Sequence, residues 1–180
     1  MDFEALCLSL LKEKGLTFAC AESCTGGLIA KRITDLSGSS AVFMGGVVSY
    51  TNEVKHKVLG VPQDLLDRHG AVSEEVARSM AENARDRLGA DFGLSTTGVA
   101  GPDKDDRGND VGTVYIALSA KGGTFCRKMA YGEKSREVIR TLAADTAFTM
   151  LSRALRGLDP TEETNFQENH HGKEKKKQQL

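Results

Sequence analysis

A hydroxyl and a thiol sit beside paired glycines in Ala21-Glu22-Ser23-Cys24-Thr25-Gly26-Gly27. The apolar run before this stretch, Leu16 to Cys20, reads as a buried strand. The amphipathic run after it, Leu28 to Leu36, reads as a helix. Glycines let a ligand approach the backbone closely. The first N–H groups of a helix have no partner within the helix, so they attract negative charge. A strand–turn–helix of this kind can hold a nucleophile, Ser23 or Cys24, beside an oxyanion site. The same residues also read as a tight turn with Ser23 or Thr25 capping the helix. The stretch alone does not choose between the two.

A serine needs a base, and a second segment offers one. Tyr50-Thr51-Asn52-Glu53-Val54-Lys55 follows a second apolar run, with Tyr50 at the strand end and Lys55 on the first turn of the next helix. A lysine can deprotonate serine only if its pKa falls from about 10.4 toward neutrality, a cost of about 4 kcal/mol. Burial does this, and a tyrosine hydroxyl can relay the proton. The alternative is a strand-end aromatic and a solvated lysine. Lys57, two positions on, faces another side of the helix.

Several familiar arrangements are excluded. A Ser-x-x-Lys hydrolase needs lysine where Gly26 stands. Short-chain dehydrogenases separate Tyr and Lys by three residues, whereas four lie between Tyr50 and Lys55, and no Gly-x-Gly-x-x-Gly opens the chain. No Walker-type loop is present. Gly98-Val99-Ala100-Gly101-Pro102 reads as an anion nest or as an ordinary turn, with Thr97 a hydroxyl donor beside it. Arg136 and Arg140 lie one helical turn apart and can hold a phosphate, or pair with Glu133 and Glu137. Asp103, Asp105 and Asp106 read as a solvated acidic loop rather than a metal site.

The pattern predicts the elements that must position these groups. A first helix carries Phe3, Cys7, Leu10 and Leu11 and stops at Gly15. Val42 to Tyr50 reads as a strand with a bulge or close approach at Gly45-Gly46. Short helices run through Leu59 and over 63–68. Ser73 caps a helix bearing Val76, Met80, Ala81, Ala84 and Leu88. Phe92 to Thr97 reads as a strand. A mobile charged loop is expected over 103–110. Strands over 111–120 and 124–131 form a hairpin at Lys121-Gly122-Gly123, and Ser135 caps a long last helix. The order predicts an α/β fold of one domain, a three-layer α/β/α sandwich with a mixed sheet. The strand ends near Ser23, Tyr50 and Gly98 then converge on one edge, where such sheets bind ligands. Residues 1–156 form the domain. The polar segment 157–180, with its lysine run, is expected to be a disordered tail.

The chain has 180 residues, enough for one sizeable core, with 39% hydrophobic and 27% charged residues. A formal net charge of −1 gives no global basic field for nucleic acid. The four cysteines, Cys7, Cys20, Cys24 and Cys126, form no Cys-x-x-Cys pair, and no zinc-ligand spacing is present. Reduced thiols, an acidic start at Asp2 and Glu4, and no apolar run of bilayer length lead to the expectation of a cytoplasmic protein without a membrane partner. Symmetric dimers are the commonest assembly, so a homo-oligomer is expected.

Four motifs in order, Ala-Glu-Ser-Cys-Thr-Gly-Gly at 21–27, Val-Ser-Tyr-Thr-Asn-Glu-Val-Lys at 48–55, His-Gly-Ala-Val-Ser at 69–73 and Gly-Val-Ala-Gly-Pro at 98–102, closely resemble the C-terminal domain of the competence/damage-inducible protein CinA. The resemblance runs from the first helix to Leu155. The length matches stand-alone members, which lack the N-terminal molybdopterin-binding-like domain and are nicotinamide-nucleotide amidases. It implies hydrolysis of the carboxamide of nicotinamide mononucleotide to nicotinate mononucleotide and ammonia, with no metal or cofactor in this domain. It also implies Ser23 as nucleophile, Tyr50 and Lys55 as its base, and N–H groups near Cys24, Thr25 and Gly26 for the oxyanion. Thr97, Gly98, Ala100 and Gly101, with Arg136 or Arg140, would hold the 5′-phosphate. Two departures stand out: Gly132-Glu133-Lys134-Ser135-Arg136 is spaced differently from the family's Gly-Asp-Arg-x-x-x-Arg, and 103–110 differs from the usual Gly-Pro-x-Gly continuation. A non-catalytic nucleotide-binding regulatory module is the alternative. A nucleic-acid binder acting through the lysine tail is the weakest reading.

Overall fold

The computed structural model describes residues 2–163. Helix α1 (Phe3–Lys14) is capped by the Asp2 carboxylate, which accepts from Ala5 N at 3.0 Å, and ends at Gly15 with φ 63°. It leads into β1 (Phe18–Glu22), buried along its whole length. The strand expected over 16–20 therefore starts later and carries a carboxylate inward at its end. Helix α2 (Leu28–Thr34), a short 3₁₀ turn (Ser39–Ala41) and β2 (Phe43–Val48) follow.

Strand β2 alternates half-buried and exposed residues, as an edge strand does. Its pairing slips once: Phe18 faces Phe43, but Ala19 faces Gly45, so Met44 is the bulged residue. A side chain at Gly46 would come 2.7 Å from Cys20 Sγ, so the close approach read from the glycine pair belongs to Gly46. Beyond β2 lie α3 (Asn52–Val54), a π-helical turn (Lys55–Leu59), α4 (Gln63–His69) and α5 (Glu74–Leu88). The rest comprises β3 (Phe92–Gly98), the hairpin β4 (Thr113–Ala120) and β5 (Gly123–Ala130), and α6 (Arg136–Leu155).

The described strands form one mixed sheet in the order β2-β1-β3-β4-β5, with β1 parallel to both neighbours and the hairpin antiparallel. One face packs Phe18, Cys20, Leu94, Ile116 and Leu118 against α1, α2 and α6. The other packs Ala21 and Ala117 against the π turn, α4 and α5. Helix α5 lies directly on β3: Ser95 Oγ donates to Ala77 O at 2.6 Å, and a side chain at Gly93 would overlap Ala81 O. The three-layer sandwich expected from the sequence is present.

Glu22 is in register with both Val48 and Thr96, so the three parallel strands stop at the same edge. Helix α6 begins there too. The acidic loop read as solvated and mobile is tied down. Asp105 accepts from the N–H groups of Arg107 and Asn109 at 3.1 and 2.8 Å, and Arg107 donates to Asp67 O and Arg68 O at the end of α4. Within the segment expected to be a tail, residues 157–163 fold back on α6: Arg153 donates to Asp159 O at 2.6 Å and pairs with Glu162. The remainder of that expectation, including the lysine run, lies outside the described residues.

Candidate active site

At the shared strand edge lies a cleft of about 190 Å³ lined by Ser23, Cys24, Tyr50, Lys55, Thr97 and Arg136, among others. Its inner end is built from two segments that the sheet order brings side by side. Ser23 follows β1, and Lys55 opens the π turn after β2. A widened turn is a common device at functional sites. Here Val61 N donates back to Lys55 O at 2.9 Å, and the lysine faces inward. Lys57 is outside, paired with Glu53 at 2.7 Å.

Lys55 is 1% exposed, and its Nζ donates to Ser23 Oγ at 2.9 Å and to Ser49 O at 2.7 Å. Burial disfavours the ammonium and lowers its pKa to about 8. About a tenth is then the free amine at pH 7, against well under a thousandth for an ordinary lysine, and it lies within reach of a serine proton. Cys24 lies in the same cleft, but burial pushes its thiol up to about 12. It stays protonated and is a poor nucleophile at neutral pH.

Tyr50 stands at the mouth, 54% exposed. Its hydroxyl accepts from Arg136 Nη2 at 2.5 Å rather than meeting Ser23 or Lys55. Arg136 also donates to Gly101 O at 2.8 Å, so one guanidinium spans the mouth from β2 to the Gly98–Pro102 loop. Thr97 lines the cleft, but its hydroxyl hydrogen is given to Ala71 O at 2.6 Å. It can offer a ligand an oxygen, not a donor. Gly98 and Ala100 line the wall. A side chain at Gly98 would come 2.6 Å from Thr113 O, so this glycine serves the close approach of β4. In the loop read as an anion nest, Val99 N is already given to Thr113 O at 2.9 Å.

Gly26 N, the Arg140 guanidinium and the Thr25 hydroxyl are engaged within the protein. Thr25 is fully buried, its hydroxyl 2.6 Å from that of Thr96. Gly26 N donates to Ser23 O at 3.1 Å, which removes it from the set of oxyanion donors. Arg140 gives Nε and Nη2 to Thr25 O at 3.3 and 2.8 Å, bracing the turn from α6. The N–H groups of Cys24 and Thr25 have no acceptor on another residue among the described residues.

Two neighbours of the site were not singled out from the sequence. Ser49 supplies the carbonyl that holds Lys55, and its own hydroxyl is buried without a protein partner. Glu22 is buried, and its carboxylate accepts from Gly27, Ile29 and Ala30 N–H at 3.0, 3.1 and 2.9 Å. The start of α2, read as a free anion site, is therefore filled by the chain itself. Neither Ser23 nor Thr25 caps this helix: its N-cap is Gly27, which has no side chain to cap with, and the glycine pair was the signal from which a cap from elsewhere could have been read. A larger cleft, about 720 Å³, lies at the opposite end of the sheet among Leu16, Phe92, Phe125 and Leu158, away from these groups. Among the described residues no three His, Cys, Asp or Glu side chains are grouped to hold a metal ion, and no helix is long and apolar enough to cross a membrane.

Residues 1–155 match the family described as the CinA C-terminal domain. The chain belongs to this family. It is 53% identical over 146 residues to a CinA-like protein of Geobacter sulfurreducens, covering 81% of this chain and 35% of that protein. It is 48% identical over 156 residues to a putative competence-damage inducible protein of Caldanaerobacter subterraneus, covering 87% of this chain and 38% of the relative. The chain thus spans about a third of the length of these relatives. Among solved structures, the competence/damage inducible protein CihA from Agrobacterium tumefaciens superposes with a TM-score of 0.81 at 41% identity, covering 87% of this chain and 96% of that one. The competence damage-inducible protein A from Klebsiella pneumoniae gives 0.83 at 31% identity, covering 86% and 95%. The fold of this CinA-family chain is thus one also seen in crystal structures.

Proposed function

We propose that this CinA-family chain is an amidohydrolase that converts nicotinamide mononucleotide to nicotinate mononucleotide and ammonia. The observation that carries the hydrolase reading is the contact of 2.9 Å between Lys55 Nζ and Ser23 Oγ, made by a lysine whose burial lowers its pKa to about 8. The free amine of Lys55 takes the Ser23 proton as Oγ attacks the carboxamide carbon. The N–H groups of Cys24 and Thr25 face the developing oxyanion. Lys55 then returns the proton to the departing nitrogen, releasing ammonia and leaving an acyl-serine. A water molecule, deprotonated by the same amine, attacks that ester, and the proton goes back to Ser23. No net charge is left behind and no metal is called on.

The choice of nucleotide rests on family resemblance and on the mouth. A cleft of about 190 Å³ suits the reacting ring rather than a whole nucleotide, since pockets for complete ligands run from about 300 Å³. The ribose and phosphate then extend outward past Arg136. A phosphate there takes the guanidinium in place of Tyr50 and Gly101, and that remote contact positions the amide. Lys55 serves as the base. Tyr50 reaches the reacting atoms only after Arg136 releases it.

The test is ammonia release from nicotinamide mononucleotide by the wild type, Ser23→Ala, Cys24→Ala and Lys55→Ala. Activity is expected in the wild type and Cys24→Ala alone. Full activity in Ser23→Ala removes the serine mechanism. Thermal stabilisation by the nucleotide without ammonia release points instead to a binding module.

A further inference from the structure

One side chain ties both ends of the turn that carries Ser23. Glu22, the last residue of β1, is 1% exposed. It points into the same layer as Phe18 and Cys20. Its Oε2 accepts from Gly27 and Ile29 N–H at 3.0 and 3.1 Å, and its Oε1 accepts from Ala30 N–H at 2.9 Å. The Cys20 thiol donates to the same Oε1 at 3.5 Å. Among the described residues no cation pairs with this carboxylate. Its charge is met by the positive end of α2, whose N-cap, Gly27 at φ 98°, has no side chain to cap with.

The donors at the start of α2 are then all used. Gly27, Ile29 and Ala30 are given to Glu22, and Leu28 N is given to Thr25 O at 3.2 Å. Ser23 N is held by Thr96 O at 2.9 Å. The segment between residues 22 and 27 cannot turn without breaking several of these bonds. We propose that Glu22 is a positioning residue: by filling the N-terminus of α2, its carboxylate fixes the turn that sets Ser23 Oγ against Lys55 Nζ and leaves the Cys24 and Thr25 N–H groups for the reacting oxygen. A corollary is that no substrate anion is held by the start of α2. The proposal rests on Ser23 and Lys55 being the reacting pair, not on which amide is cleaved.

The site needs a carboxylate. Three N–H donors converge on two acceptor oxygens. Glutamine of the same shape offers one oxygen and turns an NH₂ toward a donor, so an N–H loses its acceptor and the turn must shift. Glu4 provides a control. It is also a buried carboxylate, but it pairs with Arg32 in the clamp joining α1, α2 and α6, away from the cleft.

The experiment follows modification of Ser23 by a fluorophosphonate, read by intact mass, with ammonia release from nicotinamide mononucleotide measured in parallel. Glu22→Gln is expected to label about ten-fold or more slowly, and its KM for the nucleotide to stay within about two-fold. Glu4→Gln is expected to label at the wild-type rate at a temperature where circular dichroism shows it folded. Glu22→Ala is expected to label slowly and to recover in added formate, whose carboxylate fits the vacated N–H groups. A Glu22→Gln rate within about two-fold of wild type overturns the proposal, as does an equal slowing in Glu4→Gln. If Glu22→Gln does not fold, the formate series decides: recovery supports the proposal, and no recovery overturns it. Labelling of wild-type Ser23 without ammonia release discards the nucleotide assignment while the variants still test Glu22. No labelling of wild-type Ser23 overturns the reacting pair and Glu22 with it.

Discussion

At the inner end of the cleft Lys55 and Ser23 are 1% and 9% exposed, whereas at the mouth Tyr50 is 54% exposed and hydrogen-bonded to an exposed arginine. The inner groups are fixed by backbone: Lys55 is held by Ser49 O, and Ser23 lies in a turn anchored by Glu22 and Thr96. The outer groups hold each other. A solvated guanidinium can exchange a phenol and a carbonyl for a phosphate at small cost. A buried ammonium has no such freedom, and burial instead moves its pKa toward the range where proton transfer is useful. On the proposed reading, bond making belongs to the inner end and recognition to the mouth.

The strongest way to break that division is to remove the inner pair. Ser23→Ala and Lys55→Met are each expected to lower kcat by about 10³-fold or more, with KM little changed, because a nucleophile and its base act as a unit. Steady-state ammonia release measures both. A Lys55→Met enzyme that kept a tenth of its turnover would move the base to the mouth.

The pH dependence sharpens the same point. On the proposed mechanism Lys55 acts as the free amine, so kcat/KM is expected to rise about ten-fold per pH unit at acid pH and to level above about 8. Stability follows from the same burial. The folded-state pKa lies below that of the unfolded chain, so between about 8 and 10.5 the unfolded form holds a proton that the folded form has released. Wild type should therefore gain stability relative to Lys55→Met as pH rises through that window, by about 3 kcal/mol at most. Urea unfolding at several pH values checks the sign. An alkaline loss of activity with no acid limb would sink the amine's role.

At the mouth the expected effects are smaller and fall differently. Arg136→Ala should raise KM for the nucleotide about 10- to 100-fold, the worth of a charged hydrogen-bonding pair, with a smaller fall in kcat. Tyr50→Phe should cost only about two- to five-fold, since it removes one exposed hydrogen bond. Comparing the mononucleotide with its phosphate-free riboside separates the roles. Arg136→Ala should erase the preference for the phosphorylated compound and leave turnover of the riboside near its wild-type value. Equal losses on both compounds would place Arg136 with the chemistry.

The sequence was most readable where regular elements alone decide position. Two strand-to-helix junctions on adjacent parallel strands were enough to bring Ser23 near Lys55, because parallel strands of similar length end together. Side-chain direction within a turn was not readable in that way. Thr25 and Gly26 sit between Ser23 and α2, yet one enters the core and the other closes the turn on Ser23 O, and only the path of the backbone decides this. Glu22 was not singled out because its partners are backbone N–H donors, which leave no trace in residue type. Gly98 was read as part of an anion nest; it lines the cleft and also makes room for β4, a partner fifteen positions away in sequence. Arg140 and Arg136 share a helix face but differ by a turn in depth, so one braces the Ser23 turn while the other reaches the mouth.

Lys57 gives the smallest effect and the closest control on the inner end. It lies on the same π turn as Lys55, with the same side chain two positions away, but it is exposed and paired with Glu53 at 2.7 Å. An exposed ion pair of this kind contributes about 0–1 kcal/mol. Lys57→Ala is therefore expected to leave kcat and KM within about two-fold of wild type, with stability lowered by no more than about 0.5 kcal/mol. The two lysines share chemistry and neighbourhood and differ in burial, so the ratio of their effects isolates burial as the cause of the Lys55 role. A Lys57→Ala variant as inactive as Lys55→Met would mean that the turn itself, rather than the desolvated amine, carries the activity.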